Sequence, residues 1–535
     1  RAPAEGSSYQ GVRSSRGRVE SASAARSRSR SRRGLATGHA TGWLSSRQGS
    51  STASKPGGPT KARPTTEKLP LNAAQHAVVD MVVAGRNIFL TGAAGTGKSR
   101  VLAAVQQRVR RGVRGRLALT ASTGTAAVPL GGQTLHSWAG IGRGSGHVDS
   151  LVRDVLQDSM ACERWQETSL LVIDEISMVS GQLFDALDAV GRVVRRRKDR
   201  PFGGLQLLLC GDFHQLPPMK LDSEGWAFEA RSWDDAVDVA VELTQPLRAD
   251  PQEVAFVRAL DEIRAGAVSV DSWSLLEGLA QRPREKNRAP TELVPTNALA
   301  DEINAKALKR LAGRSSGELL TFHAEVLGCG DKGKGAAPAS LDLCEGAILI
   351  LTQTIVIDGR KLPNGTRCRV VGFIRLPSRV FDRHTSGADF DPGKFSADER
   401  HFMKRHSGML PQVQPLTEGT SLACGEDPTR GGSSDEFVLY PVTIEASGRQ
   451  AATVQLPAKL SWSLTIHRAQ GLSLDAAVVH LHGLFQPGHA YVALSRCRRA
   501  ADVWVEGLPL PNSRRGAAVF RPDAKVSKFY AALGS

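Results

Sequence analysis

Residues 87–99 read NIFLTGAAGTGKS: an apolar run, then Gly92, Ala93, Ala94, Gly95, Thr96, Gly97, Lys98 and Ser99, with VLAAVQQRV following at residues 101–109. Strand, glycine-rich loop and helix in that order form a phosphate site. Backbone N–H groups must point inward with no Cβ in the way, which explains the glycines. Lys98 supplies a point charge for the β- and γ-phosphates, and the Ser99 hydroxyl is an oxygen ligand for Mg²⁺. The bland alternative, a chance GKS after a glycine-rich turn, leaves the flanking strand and helix unexplained.

Two further stretches complete a nucleotide site. LLVIDE at 170–175 sets Asp174 and Glu175 at the end of an apolar run, Asp174 to hold Mg²⁺ and Glu175 to polarise an attacking water. CGDFHQLPP at 210–218 follows the next apolar run, so Gln215 belongs beside the γ-phosphate. ATP hydrolysis is the chemistry these residues specify. Two carboxylates can instead cap a helix, but not in company with a phosphate loop.

Outward from the loop, short apolar runs alternate with amphipathic stretches, which predicts a parallel α/β sheet. The expected strands are Asn87–Thr91, Leu117–Thr120, Leu170–Ile173, Leu205–Cys210 and Val237–Glu242. After Ser180, the helical spacing of Leu183, Leu187, Val190 and Val194 predicts a core-facing helix, whose end Arg195–Lys198 reads as solvated. A second α/β segment begins near Thr291 and resumes at Leu456. Between them, Ala347–Ile357 and Thr366–Phe373 alternate like barrel strands, and residues 376–436 read as a mobile insertion. The expected domains are a disordered tail at 1–68, a first lobe at 69–250, a second lobe at 251–342 and 456–535, and a β module at 343–455.

The 535 residues carry a net charge of +16, but the first 68 hold 14 Lys and Arg against Glu5, Glu20 and Glu67. That segment accounts for +11, so the body is nearly balanced. A basic, Ser-rich head with little to bury is expected to be disordered. Its Arg26–Arg33 run fits a nuclear signal, a transit peptide, a polyanion tether or a plain solvated tail. Nucleus and mitochondrion are the expected compartments. Seven Cys without a CxxC pair argue against a disulfide framework or a Cys-rich zinc site. No apolar run reaches the roughly 18 residues of a membrane span, and no membrane association is expected.

The ordered block from about Leu69 to Tyr530 resembles the petite-integration-frequency family, the 5′-to-3′ DNA helicases of superfamily 1. The resemblance rests on LNAAQ (71–75), GAAGTGKS (92–99), LTASTGTAA (119–127), GGQTLHSWAGIG (131–142), VIDEISM (172–178), FGGLQLLLCGDFHQLPP (202–218), LTQPLRAD (243–250), LTIHRAQGLSLD (464–475) and YVALSRCRR (491–499), in the family's order. It implies two RecA-like parallel-sheet motor domains with an inserted SH3-like β module. By the same resemblance Gln75 reads adenine, Arg248 and Arg496 are arginine fingers, and Gln470 and Gly471 link the ATP cleft to the DNA track. Thr123, His136, Phe213, His467, Arg498 and Arg499 would line a groove for single-stranded DNA. Read alone, His136 and His467 are more often structural histidines. Pro246-Leu247-Arg248-Ala249 departs from the family's usual aromatic before the arginine and glutamine after it.

The implied function is ATP-dependent 5′-to-3′ unwinding of duplex or structured DNA in genome maintenance. Single-stranded and forked DNA are the expected partners, with G-quadruplex DNA as a further one, acted on by a monomer. The alternatives are a translocase that strips proteins or G-quadruplexes without processive unwinding, the helicase part of a rolling-circle transposon, and a non-enzymatic DNA-binding scaffold.

Overall fold

All five residues of the strand Ile88–Gly92 are buried, and it pairs in parallel with Gln206–Cys210 on one side and Val239–Leu243 on the other. A strand covered on both faces has no polar side to show, which is why it reads as an unbroken apolar run. The structure is a computed structural model. It describes residues 70–533 apart from 113–115, 128, 143, 145, 246–252, 285–289, 315–317, 328–338, 358–359, 363, 378–394, 417–435, 446–451 and 512. The expected tail at 1–68 and Arg248 lie outside the described residues.

The first lobe is a six-stranded parallel sheet in the order Gln133–Thr134, Arg116–Ala121, Thr168–Asp174, Gln206–Cys210, Ile88–Gly92, Val239–Leu243. The five expected strands are all present. Parallel neighbours end together, so the loops after Gly92, Asp174 and Cys210 open on one edge, where such sheets bind ligands. Phe89, Phe184, Phe202, Phe213, Trp226 and Trp233 fill one face, each burial stabilising by about 1.5–3 kcal/mol.

The helix Gly181–Val194 is N-capped by Ser180 and buries Leu187, Val190 and Val194, while Leu183 is only partly covered. In its basic end Arg196, Arg197 and Lys198 are exposed as expected, and Arg195 is the exception. Arg195 donates to the carbonyls of Trp165, Thr168 and Gly203 and so clamps this helix to the neighbouring chain.

The second lobe is a four-stranded parallel sheet ordered Ser463–Thr465, Thr291–Val294, Ala477–His480, Val503–Glu506. Between its halves an antiparallel sheet runs Phe437–Val438, Met409–Pro415, Arg367–Arg375, Ile348–Leu351, Ala458–Leu460.

This module differs from the expectation in three ways. It takes in the strand pair Leu320–His323 and Ser340–Leu343 and extends to Leu460, so its limits lie outside 343–455. The segment 376–436 is not all insertion: the helix Ala397–Arg405, held by a Ser396–Glu399 capping box, buries Phe402 and Met403, and Met409–Pro415 is an interior strand. Ile348–Leu351 is buried throughout rather than alternating. Leu349 and Leu351 face the module's core, and Ile350 packs into the second lobe.

Candidate active site

Glycines 92, 95 and 97 all adopt positive φ, and the loop they shape folds back on itself. The Lys98 ammonium donates to the carbonyls of Gly92 (2.6 Å) and Ala93 (3.1 Å), and the Thr96 hydroxyl also donates to Ala93. Ser99 is exposed in the first turn of the helix Lys98–Gly112. Behind the loop, the Gln75 amide accepts from its cap residue Asn72 and donates to the Thr96 carbonyl at 3.1 Å. Gln75 is 0% exposed. Expected to read adenine, it has its amide engaged at both ends, the oxygen by the cap of its own helix and the nitrogen by the loop.

Asp174 ends its strand with its carboxylate accepting from the Glu175 amide at 3.0 Å and from the Cys210 thiol. Burial, then the neighbouring Glu175 charge, pushes it up to about 7. Glu175 itself sits at φ 53, ψ 48, a left-handed conformation rare for a residue with a Cβ and a mark of functional sites. This turn swings its carboxylate away from the strand, where Oε2 accepts from Gln470 Nε2 at 2.9 Å.

Gln470 belongs to the second lobe, and it is one of several crossings. Tyr491 accepts a hydrogen bond from the Ala94 amide inside the phosphate loop (2.8 Å) and donates to Asp212 (3.2 Å). Arg496 is 8% exposed and is fixed by donating to Val492, Leu472 and Ser495. Burial lowers its pKa while the Glu175 charge opposes that shift. The two residues therefore lie near enough across the seam for their charges to interact.

Gly488, at φ +81, lets the second lobe meet the Gln215 turn, since a Cβ there would lie 2.6 Å from the Gln215 carbonyl. Gln215 is 5% exposed, and among the described residues its Oε1 has no hydrogen-bond partner. The module closes the seam at its far end, where a Cβ on Gly365 would lie 2.6 Å from Thr125 Oγ1. A Cβ on Gly471 would likewise meet Ala126 at 3.0 Å. The site is a crevice with both lobes in it.

A profile for the PIF1-like helicase family matches residues 70–271. Against the "ATP-dependent DNA helicase PIF1" of Emericella nidulans, identity is 35% over 83% of this chain and 61% of that protein. Against the "ATP-dependent DNA helicase RRM3" of Saccharomyces cerevisiae it is 30%, over 88% of this chain and 69% of that one. The crystal structure of a Pif1 helicase from Candida albicans is 31% identical with a TM-score of 0.71, covering 87% of this chain and 100% of that one. The chain belongs to the PIF1-like helicase family. It spans 61% of the length of the Emericella relative.

As a member of that family, the chain has two RecA-like domains, the lobes described above. Its expected DNA residues are not equally presented. Thr123 is half-buried and caps the helix Gly124–Ala127 by accepting from the Ala126 amide. His136 is half-buried, which lowers its pKa. His467 meets His489 edge to face at 5.1 Å and bonds Gln486.

Phe213 is 1% exposed, packed against Phe89, Trp226, Phe228 and Phe529. It offers no ring face to a base, because the buried strand's exit turns it into the lobe. Arg499 forks onto Asp502 at 2.8 and 3.0 Å. Arg498 is exposed.

Sequence reasoning missed Asp212, Arg264, Tyr491 and Tyr530 as site residues. Asp212 and Tyr491 stand inside motifs already quoted. For Arg264 and Tyr530 no local signal exists.

The donor set fits a magnesium ion that takes most of its ligands elsewhere. Ser99 and Asp174 offer two hard oxygens, and among the described residues no cluster of three or more His, Cys, Asp or Glu exists to cage a metal. Nucleotide phosphates and water complete such sites.

The seam also predicts acid sensitivity. His489 is buried with neither ring nitrogen bonded among the described residues, and its pKa falls to about 3 by burial; His214 falls to about 4, again mainly by burial. Both folded values lie below the unfolded one, so between about 3 and 6.5 the unfolded chain binds more protons. Stability is complete above pH 6.5 and is lost as pH falls. At pH 5.5 each histidine costs roughly 1 kcal/mol. Melting midpoints should drop between pH 7.5 and 5.5, and less so in His489→Phe; parallel pH profiles for the two proteins would contradict this.

Proposed function

We propose that the chain is an ATP-driven motor that travels 5′ to 3′ along single-stranded DNA and unwinds duplex or structured DNA ahead of it. The observation that carries this reading is the crossing of the seam at the nucleotide loop itself. Ala94 bonds Tyr491, Glu175 bonds Gln470, and the Arg496 charge lies within electrostatic reach of Glu175. A ligand in the loop is thereby felt by both lobes. The names of the relatives, ATP-dependent DNA helicases, support the same substrate classes.

In this reading the loop amides and Lys98 hold the phosphates, and the Glu175 carboxylate orients and deprotonates the attacking water. Ser99 and Asp174 would hold Mg²⁺, which neutralises phosphate charge when bound. Arg496 counters the charge that develops on the transferred group. Gln215, with its free amide oxygen, reports the state of the γ-phosphate to the turn that meets Gly488. Closing and reopening the seam slides the Gly471 and Gly365 contacts along Gly124–Ala126 beside Thr123, which shifts the grip on the strand. Opening a base-pair step costs about 1.4 kcal/mol of stacking, well within one hydrolysis.

Forked and G-quadruplex DNA are natural substrates for such a stepper, and a monomer contains every residue this cycle uses. The Arg26–Arg33 run supports delivery to the nucleus or the mitochondrion, where the motor would serve genome maintenance. The test is unwinding of duplexes carrying a 5′ or a 3′ single-stranded tail, with ATP and Mg²⁺. The expected result is strand separation from 5′ tails only. Activity confined to 3′ tails overturns the polarity, and displacement of a protein block without strand separation leaves a translocase in its place.

A further inference from the structure

The helix Ala524–Leu533 follows the second lobe's last strand yet packs on the first lobe. Val526 is 0% exposed in the core that holds Phe89 and Phe213, and Phe529 stacks on Phe228 at 4.3 Å. One residue on, Tyr530 reaches the turn that carries Gln215. Its hydroxyl lies 2.6 Å from Thr91 Oγ1, accepts from the Phe213 amide at 3.1 Å and donates to Asp212 Oδ1 at 3.3 Å.

The arrangement is chemically complete, because a phenol donates once and accepts twice. Thr91 supplies the second donated proton. The ring is also fixed, stacked on His214 at 4.7 Å with the Arg264 guanidinium over it at 5.1 Å.

What these bonds hold is the start of the turn Asp212–Gln215. Gln215 is set by the bond from its own amide to the Asp212 carbonyl (2.9 Å), so the orientation of Asp212 decides where the Gln215 side chain goes. Thr91 precedes Gly92, the first residue of the phosphate loop. One hydroxyl therefore pins the root of the phosphate loop to the root of the γ-phosphate turn, across 439 residues of sequence from Thr91.

The geometry points to Tyr530 as a positioning residue for Gln215, making the helix Ala524–Leu533 part of the nucleotide-sensing machinery. The kinetic part of this inference rests on the motor reading above; the structural part does not. A residue that fixes a turn without touching nucleotide sets how often the turn is aligned, and so acts on kcat rather than on KM.

The experiment compares the full chain with Tyr530→Phe, which keeps the packed ring and deletes the three hydroxyl contacts, and with the exposed change Lys528→Ala on the same helix. Amide exchange over residues 212–216 is read by mass spectrometry, and ATP turnover is read with and without single-stranded DNA. Tyr530→Phe is expected to speed exchange at the Phe213 amide about tenfold. It should also lower DNA-stimulated kcat about five- to tenfold, with KM for ATP unchanged within roughly twofold. Lys528→Ala should match wild type in both.

Unchanged exchange in Tyr530→Phe overturns the anchor, and faster exchange with unchanged kcat overturns the positioning role. Equal effects from Lys528→Ala overturn the assignment to the hydroxyl. A wild-type chain that does not hydrolyse ATP refutes the motor reading alone, and the exchange measurement still decides whether Tyr530 sets the turn.

Discussion

Lys98→Ala should lose DNA-stimulated ATP hydrolysis by about 10²–10³-fold while still binding single-stranded DNA, as expected for removing one preorganised charge aimed at a developing anion. The Lys98 ammonium already lies over the loop, 2.6 Å from the Gly92 carbonyl. Bound phosphate oxygens replace those carbonyls with far stronger, charged acceptors, so the gain is largest where negative charge peaks. Alanine leaves the loop's backbone conformation to the glycines and removes only the charge. The expected DNA residues Thr123, His467 and Arg498 lie on other segments, so binding of a labelled oligonucleotide should stay within about threefold of wild type. Phosphate release measured with saturating oligonucleotide checks the first half. Turnover within tenfold of wild type would remove Lys98 from the catalytic account.

The parts of this molecule that sequence made legible are those whose cause is local. Ile88–Leu90 and Leu170–Ile173 announce themselves because a strand segment buried on both faces must be apolar. The loop at 92–99 is legible because each glycine answers a backbone requirement within eight residues. Ile348–Leu351 misleads for the same physical reason in reverse: it is buried on two faces by two different bodies, which alternation cannot express. The strand Met409–Pro415 was hidden by its polar flanks, although the Ser396–Glu399 capping box just before it is a readable signal. Phe213 read as a base-stacking aromatic because its motif is functional, yet its ring completes a core. Tyr530 and Arg264 were invisible, since their partners are set by how the lobes dock and not by any spacing along the chain.

Arg264→Met should cost about 3 kcal/mol of folding stability, the lower part of the range for stripping one partner from a buried ion pair. Asp212 is 0% exposed and takes a two-pronged contact from Arg264, Nε to Oδ2 at 3.0 Å and Nη2 to Oδ1 at 3.1 Å. Burial on its own would raise the Asp212 pKa, but the Arg264 charge, with help from Lys98 and His214, holds it below the usual carboxylate value. The Tyr491 and Tyr530 hydroxyls and the His214 amide still donate to the carboxylate after the substitution, which keeps the cost from reaching the top of the range. In the native protein the folded pKa is depressed, so this pair's contribution is complete above the unfolded value near 3.8 and disappears only as pH falls through the folded one. Without Arg264 the burial effect outweighs what Lys98, His214 and the remaining donors supply, and the sign reverses. The folded carboxyl then titrates above its unfolded value, and the variant's deficit relative to wild type is greatest at neutral pH and shrinks as the medium is acidified towards pH 5. Urea midpoints for both proteins at pH 7.5 and pH 5 measure that difference, with the acid effect of His489, whose shift does not involve Arg264, cancelling between them. A deficit below about 1 kcal/mol at pH 7.5, or one that grows on acidification, would mean that Asp212 is held by its hydroxyl and amide donors and that Arg264 is incidental to it.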